Sequence, residues 1–226
     1  NKPLKLDCGE TIINYPIAYE TYGKLNERKD NAILAFHALT GDQFLTGINP
    51  VTNKKGWWTY LIGPSKPIDT NKFFVICANV IGGCMGSFGP STVDEKSKKP
   101  LGTSFPVITI NDMVNAQYNL LDHFKIKKLF CVIGGSMGGM QVLQFVSNFP
   151  NAAKNAIPIA CTANHSAQNI AFNELARQSI MADNNWDKGD YVNKEKSPDK
   201  GLAVARMAAH ITYLSQKGLQ EKFGSC

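Results

Sequence analysis

The sequence predicts an α/β fold with a mostly parallel central sheet. Short continuous apolar runs at 31–37, 73–80 and 129–133 are typical of strands buried on both faces. Helix-period patterns lie before and after the third run, so that strands alternate with helices. The chain has 226 residues, of which 43% are hydrophobic, as expected for an ordinary globular protein.

The other core elements fit this alternation. Residues 11–23 alternate apolar and polar side chains, as exposed antiparallel strands do. Residues 111–124 show the spacing of a helix with one apolar face. The helix after the third strand is expected to end at Asn148, because Phe149-Pro150 follows. Residues 156–161 predict one more buried strand.

The character of the chain changes after this last strand. Helices are predicted over 166–182 and 201–216, with a polar loop and no strand between them. We therefore expect a core domain over 1–164 and the start of a helical cap over 165–226.

The run Gly134-Gly135-Ser136-Met137-Gly138 connects the strand at 129–133 to the following helix. Its spacing is that of the G-x-S-x-G nucleophile elbow, in which a serine occupies a sharp, strained turn. Small neighbours allow the chain to turn, and the helix N-terminus favours negative charge beside the serine. Ser136 is therefore predicted to be a catalytic nucleophile.

An elbow of this kind works with an oxyanion hole made of backbone N–H groups. One donor is the residue after the nucleophile, here Met137. The second comes from a loop after an earlier strand, which corresponds to HALTGD at 37–42. Leu39 or Thr40 is the expected donor there.

A serine nucleophile also needs a histidine base and an orienting carboxylate, which follow it in this chain order. Only His165 and His210 come after Ser136. His210 lies inside a predicted cap helix with no preceding strand, which favours a structural helix residue. We therefore expect the acid and base to be absent from these 226 residues.

Two further segments allow both a functional and a structural interpretation. The Gly-rich run 82–90 follows a predicted strand but lacks the Lys-Ser/Thr of a phosphate-binding P-loop. It is either a loop that admits a substrate or an ordinary turn. Trp57-Trp58 is either a substrate wall or packing beneath a loop.

Several functional classes are disfavoured. The net charge is +6, but no strip alternates basic and aromatic residues, so no nucleic-acid partner is expected. No apolar run approaches membrane-spanning length, so no membrane partner is expected. The six cysteines show no metal-ligand spacing, so no metal is expected. Their strand-like surroundings fit a reducing cytoplasm.

Taken together, the motifs resemble the homoserine O-acetyltransferase family of α/β-hydrolase-fold enzymes. The similar segments span the chain in order, as in the N-terminal portion of a family member. They are AYETYGKLN (18–26), HALTGD (37–42), GWW (56–58), NVIGGCMGSFGPS (79–91), FPVITINDMV (105–114), GGSMGGMQ (134–141) and ARMAAHITYLS (205–215). One departure is Gln43-Phe44, where many members carry a histidine.

The resemblance implies acyl transfer in methionine biosynthesis. Ser136 would take the acetyl group from acetyl-CoA as co-substrate, with no bound cofactor, and L-homoserine would then accept it. Arg206 would bind the amino-acid carboxylate, and Tyr213 and Asp42 would help to place the acceptor. The family also implies a homodimer formed through the cap helices.

Alternatives remain open at this stage. The family pattern is shared by homoserine succinyltransferases and serine acetyltransferases. An esterase or thioesterase on the same fold would use water as acceptor. A third possibility is that this chain, without the acid and base, is inactive alone.

Overall fold

The structure is a computed structural model that describes residues 2–192 and 194–224. These residues form two compact units. The first contains 2–92 and 105–163, and the second contains 93–104, 164–192 and 194–224. The short segment 93–104 therefore belongs with the helical residues, although it precedes them in the chain.

The strands lie in the first unit, and five of them form the main sheet. They are β1 (Leu4–Lys5), β2 (Thr11–Ile12), β3 (Tyr19–Tyr22), β4 (Ala32–Phe36), β5 (Ile62–Gly63), β6 (Ile68–Asp69), β7 (Phe74–Ala78), β8 (Leu129–Gly135) and β9 (Ala153–Ile159). The main sheet has the order β3-β7-β4-β8-β9, in which β3 is antiparallel to β7 and the other neighbours are parallel. The prediction of a mostly parallel sheet is confirmed.

The helices are divided between the units. They are α1 (Ile110–Phe124), α2 (Met137–Asn148), α3 (Ala167–Met181), α4 (Asp199–Tyr213) and α5 (Gln216–Phe223), with short 3₁₀ helices at Gly102–Ser104 and Asp187–Gly189. A capping box begins α1, since Thr109 and Asp112 each accept a hydrogen bond from the other's backbone N–H. Lys125, in the left-handed conformation, ends it.

Both faces of the sheet interior are covered. Along β4 the side chains alternate, so that Leu34 and Phe36 face one side while Ile33 faces the other. The first side packs against α1 and α2, and the second against residues of the connection 44–73. Every residue of β4 and β7 is buried, as the continuous apolar runs predict.

The last strand differs from its prediction. It begins at Ala153, earlier than the expected residue 156, and is mostly exposed, with Ile157 and Ile159 at 45% and 40%. The expected burial is wrong because β9 has a paired strand, β8, on one side only in the described sheet. An apolar run indicates a strand, but its burial depends on what covers it.

The helical unit is built around α3 and α4. A Cβ at Gly201 of α4 would lie 2.3 Å from the carbonyl oxygen of Ser179, so the two backbones approach closely. The predicted single helix over 201–216 is wrong at its end. Leu214 is extended, and the Ser215 hydroxyl accepts a hydrogen bond from the Gly218 N–H to begin α5. No helix among the described residues has the length and apolarity of a membrane span.

Candidate active site

Ser136 lies between the end of β8 and the first residue of α2. Its backbone has φ 55° and ψ −121°, outside the conformations that side-chain-bearing residues usually adopt. Its N–H donates to the Ile159 carbonyl (2.9 Å), and the Met140 N–H donates to its carbonyl (3.0 Å). Its side chain does not cap α2. The strained turn is thus held from both sides, while the serine itself is exposed.

Three of the glycines around Ser136 lie where an added side chain would collide with neighbouring atoms. A Cβ at Gly134 would lie 2.4 Å from the Gly138 carbonyl oxygen, and a Cβ at Gly138 would lie 2.2 Å from that of Phe36. A Cβ at Gly139 would meet the sulfur of Cys161 at 2.7 Å. The Gly138 contact places the first turn of α2 directly against the end of β4, where the loop 37–42 begins.

The backbone N–H of Met137 is available to an anion. Met137 is the first residue of α2, and the first N–H groups of a helix have no partner within it. The helix dipole adds partial positive charge at the same end. The Met137 N–H therefore lies beside the nucleophile with the electrostatics of an oxyanion donor.

The loop 37–42 contains a tight turn after β4. The Gly41 N–H donates to the Ala38 carbonyl (2.9 Å), so Leu39 and Thr40 hold the central positions of the turn. This hydrogen bond does not use their own N–H groups. The Leu39 side chain is exposed, and it contributes no packing that would explain the turn. Among the described residues no carbonyl accepts a hydrogen bond from either N–H group, which leaves both for the predicted oxyanion role.

Asp42 is engaged within the loop that follows. One carboxylate oxygen accepts from the Phe44 N–H and the other from the Asn49 amide, both at 2.8 Å. Its carbonyl accepts from the Trp57 indole N–H (2.9 Å). These bonds give Asp42 a structural role, and its predicted contact with the acceptor stays a prediction. Trp57 and Trp58 pack against the second face of the sheet, which supports the packing interpretation.

The Gly-rich run 82–90 is an ordered loop attached to the end of β7. The Gly82 N–H donates to the Phe88 carbonyl (2.7 Å). The Ser87 hydroxyl donates to the Asn79 carbonyl (2.6 Å), and the Asn79 side-chain oxygen accepts from the Met85 N–H (3.2 Å). The Gln43 amide also donates to the Met85 carbonyl (3.0 Å). This loop is therefore bonded directly to the segment that follows the oxyanion turn.

Arg206 and Tyr213 lie in the second unit, on α4. They are seven residues apart and both exposed, which places them on the same side of the helix. Within the part of the chain that the structure describes, no carboxylate forms an ion pair with Arg206. His210 is also on α4, as expected for a helix residue. Their predicted roles stay predictions.

Sequence reasoning missed three buried polar residues beside the elbow. They are His37, Gln117 and Gln141, each at most 1% exposed. The Gln117 amide donates to the Gln141 amide oxygen, and the Gln141 amide donates to the His37 carbonyl. A polar residue within the apolar face of a helix is a signal of buried hydrogen bonding, but it does not reveal the partner.

The described residues contain no group of three or more His, Cys, Asp or Glu side chains that could hold a metal ion.

A family model described as alpha/beta hydrolase fold matches residues 31–225. This match confirms the predicted fold class.

Curated relatives are similar along almost the whole chain. A homoserine O-acetyltransferase from Pelagibacter ubique is 75% identical over 224 residues, which are 99% of this chain and 60% of that protein. One from Mesorhizobium japonicum is 60% identical over 99% of this chain and 58% of that protein. These relatives confirm the predicted resemblance. The chain spans about three fifths of their length.

Two solved structures are similar in fold at lower identity. A homoserine O-acetyltransferase from Bacillus anthracis has a TM-score of 0.87 at 29% identity, covering 98% of this chain and 61% of that one. An acetylester hydrolase from Corynebacterium glutamicum has a TM-score of 0.84 at 31% identity, covering 97% and 59%. The same architecture therefore occurs in a transferase and in a hydrolase.

Proposed function

The chain belongs to the alpha/beta hydrolase fold family, and from that premise we propose that the complete protein transfers an acetyl group from acetyl-CoA to L-homoserine through Ser136. The observation that carries the proposal is the strained serine at the start of α2 in a chain 75% identical to a protein named homoserine O-acetyltransferase. Homoserine O-acetylation is a step toward methionine.

The first half-reaction forms an acetyl-serine. The Ser136 oxygen attacks the thioester carbonyl carbon, and a general base takes the hydroxyl proton. The carbonyl oxygen becomes an oxyanion that accepts hydrogen bonds from the Met137 and Leu39 N–H groups. The carbon–sulfur bond then breaks, and CoA leaves as a thiol after taking up the proton.

The second half-reaction passes the acetyl group to the acceptor. The homoserine hydroxyl loses its proton to the base and attacks the ester carbon, and the Ser136 oxygen leaves and regains a proton. Arg206 binds the acceptor carboxylate, since a guanidinium can form two parallel hydrogen bonds with it. Tyr213 and Asp42 help to place the acceptor.

The proposal is tested by measuring CoA release from acetyl-CoA by the complete protein. Homoserine, serine and no acceptor are compared, succinyl-CoA is run as a second donor, and Ser136→Ala is the control. We expect release that needs homoserine and acetyl-CoA and that is lost in the variant. Release that is faster with serine or succinyl-CoA would reassign the substrate.

Ester hydrolysis is the second candidate, favoured by the similarity to an acetylester hydrolase. The fold and elbow serve both reactions, because only the acceptor differs. CoA release at the same rate with and without homoserine would support the hydrolase.

We also propose that the complete protein is a cytoplasmic homodimer joined through its cap helices. Large apolar side chains on α3 and α4 are exposed, including Ile170, Leu175, Met207 and Ile211. The described cysteines, residues 8, 77, 84, 131 and 161, are free thiols, which fits a reducing compartment. Light scattering after size exclusion tests the dimer, and a monomer mass would contradict it.

A further inference from the structure

Three buried polar side chains connect the helix that carries the nucleophile to the loop that carries the second oxyanion donor. Gln141 on α2 is 0% exposed, Gln117 on α1 is 1% exposed, and His37 after β4 is 1% exposed. Acyl transfer gives none of them a chemical step. Burying polar groups is costly unless they are hydrogen-bonded, so their partners indicate what they hold in place.

Gln141 bridges the two segments directly. Its amide nitrogen donates to the carbonyl oxygen of His37 (3.3 Å), two residues before Leu39. Its amide oxygen accepts from the Gln117 amide nitrogen (2.7 Å). Gln117 therefore fixes which end of the Gln141 amide faces the loop. The same amide nitrogen also lies 3.4 Å from the Met137 carbonyl, so one side chain contacts the carbonyl of one oxyanion donor, Met137, and the carbonyl two residues before the other, Leu39.

The His37 ring anchors the other side of the loop. Its Nδ1 lies 2.7 Å from the Ala38 carbonyl, which only accepts, so Nδ1 carries the proton. Its Nε2 then accepts from the Val80 N–H (3.1 Å) and lies 3.3 Å from the Asn79 amide. The ring is thus neutral, and it holds the loop against the end of β7. Burial lowers its pKa, in agreement with this state.

We infer that Gln141 and His37 are positioning residues that set the separation of the Leu39 and Met137 N–H groups. The inference rests on the proposed function, in which those groups bind one oxyanion. Donors must lie about 2.7–3.1 Å from that oxygen, and they belong to different segments. The Gly138 contact with Phe36 fixes how near the segments come, and the Gln141 bond fixes the orientation of the loop carbonyl and so of the N–H groups that follow.

The test measures acylation of Ser136 in the complete protein, with p-nitrophenyl acetate as well as acetyl-CoA. Gln141→Met keeps the length and removes the donor. We expect the acylation rate constant to fall about 10–100-fold with KM for acetyl-CoA almost unchanged, because the lost geometry acts in the transition state. The matched control is Gln144→Met, on the same helix, whose amide bonds Asn148 instead. It should keep the parent rate.

Two further variants keep the inference falsifiable if Gln141→Met folds poorly. Gln117→Leu leaves the Gln141 donor and removes only its orienting partner, so a fall of about 3–10-fold is expected. His37→Gln can accept from the Val80 N–H near the position of Nε2, whereas His37→Asn is too short, so the first should retain more acylation than the second.

The outcomes separate the inference from the function. Folded Gln141→Met or Gln117→Leu with parent acylation rates would overturn the positioning role while leaving the transferase intact. A rise in KM alone would also overturn it, since that indicates a binding role. If neither p-nitrophenyl acetate nor acetyl-CoA acylates Ser136 in the parent protein, the positioning role and the proposed function are both overturned, because no oxyanion then forms.

Discussion

The two compact units are stabilised in different ways. In the first, β4 and β7 are buried along their whole length and both faces of the sheet are covered. In the second, the buried residues among those described are Gly189, Pro198, Gly201 and Ala205, none of which has a large side chain. The first unit has a hydrophobic core of its own, whereas α3 and α4 meet through close backbone contact.

This difference in packing agrees with the functional role proposed for the residues of each unit. The nucleophile and both oxyanion donors need fixed geometry, and they lie where packing and buried hydrogen bonds are dense. Two of the proposed acceptor-binding side chains, Arg206 and Tyr213, lie exposed on α4, where a change alters recognition more than folding. Changes beside Ser136 and the oxyanion donors should therefore affect acylation, and changes at Arg206 or Tyr213 should affect binding of the acceptor.

The largest expected effect is on acceptor binding. Arg206→Ala in the complete protein should raise KM for homoserine about 10–100-fold, because a charge-assisted pair contributes about 1.5–3 kcal/mol. Acetylation of Ser136 in the absence of acceptor should be unchanged. Steady-state kinetics and a single-turnover acylation assay measure the two effects. A slower acylation step in Arg206→Ala would contradict the proposal that this residue acts on the acceptor alone.

The contact at Gly138 tests the rigid unit. Gly138→Ala should lower the free energy of unfolding by about 1–3 kcal/mol and slow acylation, since its Cβ would lie 2.2 Å from a backbone oxygen. Gly135→Ala is the matched control, because nothing lies within 4 Å of its Cβ. Denaturant unfolding measures both variants, and equal stabilities would contradict the packing argument.

The same kind of substitution at Gly201 tests how rigid the helical unit is. Its Cβ would lie 2.3 Å from a backbone oxygen of α3, yet the described residues of this unit include no large buried side chain that packs between the helices. We expect Gly201→Ala to cost only about 0.5–1 kcal/mol, because α3 and α4 can separate slightly. A loss as large as that of Gly138→Ala would show that both units are equally rigid.

The smallest expected effect is a pH dependence of stability. Burial lowers the pKa of His37 below its ordinary 6.5, so the unfolded chain takes up this proton at a higher pH than the folded one. The favourable contribution is present above pH 6.5 and is lost as the pH falls toward the folded pKa. Denaturant unfolding from neutral to acidic pH should show a shallower loss for His37→Gln, and identical slopes would contradict the buried neutral ring.

The sequence predicts the parts of this molecule that follow from local rules. Ser136 is recognisable because the elbow demands small residues at fixed spacing, and β4 and β7 because burial on both faces demands apolar runs. The exposure of β9 is not predictable, since it depends on neighbouring strands. The bonds among Gln117, Gln141 and His37 join distant segments, which the pattern of one segment does not reveal.

The most direct test of the central claim is mass spectrometry of the complete protein after brief mixing with acetyl-CoA. We predict one added acetyl group on Ser136, which disappears when homoserine is added and O-acetylhomoserine forms. Consumption of acetyl-CoA with no acetyl group on Ser136, or undiminished transfer by Ser136→Ala, would contradict the account.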